Sequence, residues 1–247
     1  MIDFCPKPQP LPNSQCNMVI DTTWFGSQNC IILYWDHNQQ HLQYWHYAER
    51  EHSGLVAKDL QKLRRQKVVC ASTTTDPGKI ILKAVKSVYP DIPKQRCLVH
   101  IQRESLNWLT RKPKDPASKH LVPLIQQLPA IKTKEESIKW LQYYSSWKKR
   151  WIDYLYKERG EHSDYSKKPS RILRVVSYLD RAVEGMFCFI ENPAIPWNTN
   201  GLEGRLSSLK QHYRQHRGMI SSLRKSYLAW YITVIVNKCK SPTRNCY

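Results

Sequence analysis

Residues 18–25 read Met18-Val19-Ile20-Asp21-Thr22-Thr23-Trp24-Phe25. An apolar, β-branched and aromatic run of this length reads as a strand. Asp21 closes its most apolar part. Burying an unpaired carboxylate is expensive. Asp21 therefore reads either as a cap at a strand end or as a side chain aimed at a compensating cation.

Two further strands follow. Cys30-Ile31-Ile32-Leu33-Tyr34-Trp35 comes after a break at Gly26-Ser27, and Leu42-Gln43-Tyr44-Trp45-His46-Tyr47 comes after a polar turn. The short polar gaps predict an antiparallel meander. Leu55, Leu60 and Leu63 then recur at near-helical spacing among bases. A fourth strand, residues 67–72, runs into Asp76-Pro77-Gly78. A helix from about residue 80 to 88 stops at Pro90. A short fifth strand, Arg96-Cys97-Leu98-Val99, leads into a helix near His100. The order β-β-β-α-β-α-β-α is that of the RNase H fold. The expected class is α/β, an RNase H-like mixed five-stranded sheet flanked by helices. No glycine-rich phosphate loop is present, which argues against a doubly wound nucleotide-binding sheet.

Beyond residue 110 the strand signal ends. Residues 112–116 read as a linker. One long helix is expected over 134–157, with Trp140, Tyr144, Trp147, Trp151 and Tyr154 on a stripe. Another is expected over 170–190, with Ile172, Val176, Leu179 and Val183 on one face. The final helices are expected over 202–216 and 220–237. The chain thus divides into a proline-rich extended lead-in (1–17), a first part of the core (18–110), an all-helical insertion (111–195) and the core's C-terminal helices (196–247). On this reading the catalytic fold starts almost at the N-terminus, with no DNA-reading module before it.

The charge identifies a partner class. The 247 residues carry 39 Lys and Arg against 20 Asp and Glu, a formal net charge of +19. Such an excess attracts a polyanion, usually nucleic acid, through phosphate neutralisation and counterion release, with an anionic membrane surface as the main alternative; double-stranded DNA as the partner is what the resemblance given below implies. The 8 cysteines form no CxxC pair and read as reduced core thiols. No signal peptide is visible, and the longest apolar stretch, residues 227–236, is too short to span a bilayer. The expected location is cytoplasmic and nucleoid-associated, with no membrane.

Two more acids fall on telling elements. Asp76 follows the fourth strand; in the RNase H order the first and fourth strands are parallel neighbours, so Asp21 and Asp76 meet at one end of the sheet. A turn aspartate is the competing reading. Glu203 lies in Asn200-Gly201-Leu202-Glu203, where Asn200 as N-cap and Glu203 three residues on resemble a capping box. Leu202, Leu206, Leu209 and Tyr213 form an apolar stripe on this helix. Glu203, Ser207, Lys210, Arg214 and Arg217 form an adjacent polar one, an acid followed by bases. Three carboxylates converging on one sheet end suit two hard divalent cations, Mg2+ or Mn2+. Arg205, Lys210, Arg214 and Arg217 suit a DNA backbone.

These residues resemble the Mutator-like transposases of bacterial insertion sequences. The resemblance rests on Asp76 and Gly78, the proline-rich turn of residues 89–93, Gln95-Arg96-Cys97-Leu98-Val99-His100, the Ile20-Asp21 strand and the Thr199-to-Glu203 helix start. It covers residues 18 to about 235. It implies a DDE transposase, a two-metal-ion nuclease and strand transferase, with Asp21, Asp76 and Glu203 catalytic and metal-binding. It also implies a helical insertion, which agrees with the 127 positions separating residues 76 and 203, and a homo-oligomer on transposon ends and target DNA. The chain departs from the family in Pro77, which intervenes before Gly78; the resemblance also implies an N-terminal DNA-binding region, which on this reading is not expected ahead of residue 18. Trp140, Trp147 and Trp151 read either as helix packing or as stacking platforms for a base. Cys97 and His100 form a structural motif, packing and hydrogen bonding beside the fifth strand; a zinc site would need two further ligands, for which His212 and His216 are available. Two alternatives remain: a catalytically inactive, transposase-derived DNA-binding protein, and an RNase H-like nuclease acting on RNA–DNA hybrids.

Overall fold

In a computed structural model the described residues are 6–13, 15–26, 29–110, 112–161, 170–215 and 218–236. The core is α/β. Five strands, β1 (Gln15–Trp24), β2 (Cys30–Asp36), β3 (His41–Ala48), β4 (Val69–Thr75) and β5 (Lys94–Arg96), form one mixed sheet of order β3-β2-β1-β4-β5. The β1–β2 and β2–β3 pairs are antiparallel; β1–β4 and β4–β5 are parallel. This is the expected RNase H-like arrangement.

Alternation along β1 divides the molecule. Cys16, Met18 and Ile20 face helices α1 (Ser53–Arg65) and α2 (Lys79–Val88). Val19 faces the other way, with Ile31, Leu33 and Trp35 of β2. That second face is covered by the C-terminal helices α9 (Asn200–Gln215) and α10 (Ser221–Tyr231), through Leu202, Leu206, Leu209, Leu228 and Ala229. Odd-numbered Asp21 shares the α9 side.

In the chain between α2 and α9 come α3 (Leu98–Leu109), α4 (Pro116–Gln127), α5 (Lys134–Arg150), α6 (Ile152–Glu161), α7 (Arg171–Ala182) and the short α8 (Cys188–Glu191). Their shared core is built on α3 through Leu98, Ile101 and Leu109.

Several boundaries differ from the sequence reading. Helix α4 occupies a stretch for which the sequence reading gives no element. Pro116 sits in its first turn, and the Asp115 carboxylate accepts from Ser118 N–H, a start signal of the ordinary kind. The helix expected over 134–157 is two helices, broken where Trp151 leaves helical geometry. The helix expected over 170–190 stops at Ala182 and passes through a tight turn, Val183–Gly185, before α8. The fifth strand ends at Arg96, because Cys97 N–H donates to Thr75 O and Leu98 already starts α3. Trp140 and Trp147 are buried, and their indole N–H groups donate to Leu124 O and Ala117 O. These two rings are core, so the stacking role does not fit them; Trp151 is partly buried against the same core.

Candidate active site

Strand register brings the first two acids together. Ile20 pairs with Thr75 as the last pair of the parallel β1–β4 ladder, so Asp21, still within β1, and Asp76, just past β4, follow side by side where the ladder ends. Asp21 is buried, and its Oδ1 accepts from Thr22 N–H at 2.9 Å. Asp76 is half-buried; its Oδ1 accepts from Gly78 N–H at 3.3 Å, at the start of α2. A Cβ on residue 78 would lie 3.1 Å from both Asp76 carboxylate oxygens. Gly78 thus leaves the carboxylate its room, and the intervening Pro77 does not prevent the contact.

The third acid arrives through a stitched loop. Thr74 Oγ1 donates to Pro196 O at 2.7 Å, and Leu98 N–H donates to Trp197 O at 3.1 Å. These bonds fix the segment before α9 to β4 and α3. The expected capping box does not form. Asn200 is already inside α9, and the carbonyl of Thr199 accepts from the N–H groups of Leu202 and Glu203. Asn200 is therefore no cap; Thr199 is the residue at the helix start, its hydroxyl donating to Glu203 Oε1 at 2.9 Å.

The electrostatics follow from this convergence. Burial, then the charges of Glu203 and Asp76, push the Asp21 carboxyl up to about 7; Lys210 opposes them. Among the described residues Asp21 has no ion-pair partner within 4 Å. Glu203 is held differently. Its Oε1 lies 3.3 Å from His100 Nε2, and its Oε2 accepts from Arg103 at 3.3 Å. Burial acts to raise the Glu203 carboxyl, but His100, the Thr199 hydroxyl and Arg103 outweigh it and hold the group below the usual glutamate value. Burial keeps His100 below its ordinary value despite Glu203.

Sequence reasoning did not give His100, Arg103 or Thr199 this place. Residues 100 and 103 lie one turn apart on α3, a signal that they share a face, but nothing local says that the face opposes Glu203. Cys97 belongs to the same cluster, with its sulfur 3.6 Å from Thr199 Oγ1. Arg96 supports the loop of Asp76 from below: its guanidinium is buried and donates to Thr75 Oγ1 at 2.7 Å and Gly78 O at 2.9 Å. Glu51, just ahead of α1, is a further carboxylate in the neighbourhood; burial, with Asp76 adding to it, raises its pKa.

The bases of α9 separate. Lys210 is half-buried and acts on Asp21. Arg214 is exposed. Arg205 stacks on Trp35, 4.6 Å from the ring centroid, so it packs on the sheet. Arg217 lies outside the described residues, as does His216. His212 stands against Tyr231, away from Cys97 and His100.

The donor set suits a hard cation. Three carboxylates offer oxygen ligands of the kind Mg2+ and Mn2+ take, and the buried charge of Asp21 lacks a protein counter-ion. Among the described residues, no three His, Cys, Asp or Glu side chains stand together at metal-holding distances; both Glu203 oxygens are engaged by Thr199, His100 and Arg103.

One pH effect follows. A carboxyl depressed in the folded state stabilises the fold above its unfolded pKa, and that stability is lost as pH falls through the folded value. Arg103→Gln should remove part of it. The expected cost is below about 1 kcal/mol, since the guanidinium is half-exposed and screened. Urea unfolding should show a larger loss at pH 6 than at pH 3; an equal loss at both would contradict the assignment.

Among known families, the model of the transposase IS66 family matches residues 34–215. Asp76 and Glu203 lie inside that range and Asp21 before it. The match keeps the insertion-sequence transposase expected from the resemblance and corrects its family, which is not the Mutator-like one. No curated protein matches the chain. No described helix is long and apolar enough to cross a membrane.

Proposed function

The chain belongs to the transposase IS66 family, and from that premise we propose that it cleaves and joins DNA strands at insertion-sequence ends by metal-dependent phosphoryl transfer. The observation that carries the proposal is the buried Asp21 carboxyl. Burial, then the charges of Glu203 and of Asp76 across the β1–β4 register, raise its pKa. An unpaired acid among acids is costly to keep, and a divalent cation is the natural complement.

Asp21, Asp76 and Glu203 would hold Mg2+ or Mn2+, two ions in the full site. Bound there, the ions would supply an activated water or 3′-hydroxyl and charge stabilisation at the leaving oxygen. The chain's own groups do the rest. Thr199 and His100 orient the Glu203 carboxylate. Arg103 pairs with Glu203 Oε2, an oxygen that would have to leave the guanidinium to serve as a ligand. Lys210 and Arg214, on the same helix, would contact the backbone phosphates. The +19 charge supports capture of duplex DNA at the transposon end and at the target. A homo-oligomer on paired ends and a nucleoid location belong to the same reading.

A second reading, DNA binding without chemistry, draws support from Glu203, whose two oxygens are already engaged, by Arg103 as an ion pair and by His100 and Thr199. Incubating the purified full chain with supercoiled plasmid separates the two. Nicked circles in Mg2+ or Mn2+, and none in a chelator, are expected. Retention of plasmid with no nicking in either metal would favour the second reading.

A further inference from the structure

Behind the loop of Asp76, at the edge of the sheet, lies a cleft of about 420 Å³ between β5 and α2 on one side and the end of α7 on the other. Lys86, Lys94, Arg96, Arg181, Glu184 and Gly185 line it. Four are bases and one is an acid. Glu184 meets Lys86 at 3.5 Å with both side chains largely exposed, so water screens the pair. Lys94 spends two of its N–H groups on the carbonyls of Pro90 and Ile92, which leaves a third donor. Burial and then the Lys86 charge lower the Lys94 pKa, which is what uncompensated positive charge does to an ammonium.

The floor is the decisive feature. Arg96 is 3% exposed, and its Nε–H has no hydrogen-bond partner. No carboxylate stands within ion-pair distance of it among the described residues. The Asp76 charge favours the guanidinium from beyond ion-pair distance, yet burial outweighs it and holds the group below its ordinary pKa, so Arg96 is a buried cation with no directly paired anion. An anion in the cleft would answer it.

We propose that this cleft is a second contact for duplex DNA, taking a backbone phosphate over Arg96 with Lys86, Lys94 and Arg181 around it. The inference rests on the reading that the chain handles DNA. A polymer fits better than a free anion because Lys86 and Arg181 are exposed on the rims and the cleft is open to a passing strand. Its position also matters. The Arg96 guanidinium bonds Thr75 and Gly78, on either side of Asp76, so a phosphate held here would lie one loop from the candidate active site.

The test is the binding of a short fluorescent duplex of arbitrary sequence by the full chain, in chelator, across a salt series. Lys86→Gln with Arg181→Gln removes two rim charges and touches no acid of the active site. Lys58→Gln with Arg65→Gln removes the same charge from α1. The cleft pair should make the slope of log affinity against log salt less negative by about 2. The deficit relative to the parent should shrink about tenfold between about 50 and about 200 mM salt. The α1 pair should do much less. Equal losses from both pairs, or no loss from the cleft pair, would overturn the proposal. So would weakened binding of inorganic phosphate with unchanged duplex affinity, which would assign the cleft to a free anion. If the parent chain binds no duplex at all, the DNA reading falls with it; if the parent binds and the cleft pair matches it, only the cleft proposal falls.

Discussion

Asp21→Asn is expected to cut metal-dependent nicking by on the order of 10⁴ while making the metal-free protein more stable above neutral pH. Few substitutions move activity and stability so far apart. The reason is the sign of the Asp21 shift. An acid whose pKa rises on folding resists ionisation in the folded state. Stability is then unaffected at low pH and falls as pH rises from the unfolded value near 4 to the folded value of about 7. The full cost by pH 8 is at most about 4 kcal/mol. Asparagine removes it. Its Oδ1 can still accept from Thr22 N–H, so the local fold is kept. Unfolding by urea at pH 5 and pH 8 should show the variant gaining on the parent at both, and at least about twice as much at the higher pH. Adding Mg2+ should stabilise the parent at pH 8 and leave the variant unchanged. A variant less stable than the parent at pH 8 would mean that the Asp21 charge is compensated within the protein.

Gly185→Ala should be the most damaging small change away from the acids. A Cβ at residue 185 would stand 2.3 Å from Lys94 O and 2.9 Å from Arg96 Cγ. The first is a backbone atom of β5, so relief requires moving either the edge strand or the turn between α7 and α8. Overpacking of this kind costs about 1–3 kcal/mol, and more where backbone must shift. A loss of about 3 kcal/mol would lower the melting temperature by about 6–12 °C for a chain of this size. Displacing β5 also moves Arg96, which braces the residues on either side of Asp76. Activity should therefore fall further than the folded fraction at the assay temperature. Gly204→Ala offers the contrast. It lies within α9, and a Cβ there meets nothing within 4 Å. That change should stabilise the helix by about 0.5–1 kcal/mol. Similar losses from both glycines would show that helix propensity, not close approach, governs residue 185.

The sheet was legible because its strands announce themselves. β1 to β3 are short β-branched and aromatic runs with polar gaps, and period-2 alternation fixed which face each residue takes. The parallel neighbourhood of β1 and β4 followed from element order, and with it the meeting of residues 21 and 76. The surroundings of Glu203 were not legible. His100 and Arg103 share a helix face, but what that face meets depends on a loop some 95 residues later being stitched to β4 and α3. Asn200 misled for the opposite reason: it carries a good local cap signal, yet Thr199, tied down by its neighbours, holds the helix start. The tryptophans of α5 could not be read either way, because a buried aromatic stripe and a stacking platform have the same period. Gly185 gave no signal, since close approach between distant segments leaves no mark on local sequence.

The central claim is that Asp21, Asp76 and Glu203 share divalent cations. Titrating Mn2+ into the full chain on duplex DNA, followed by electron paramagnetic resonance, tests it most directly. The parent should bind two ions, and Asp21→Asn, Asp76→Asn and Glu203→Gln should each lose one or both. Binding at parental affinity and number in all three variants would place the metal elsewhere, or leave this protein a DNA-clasping fold without nuclease chemistry.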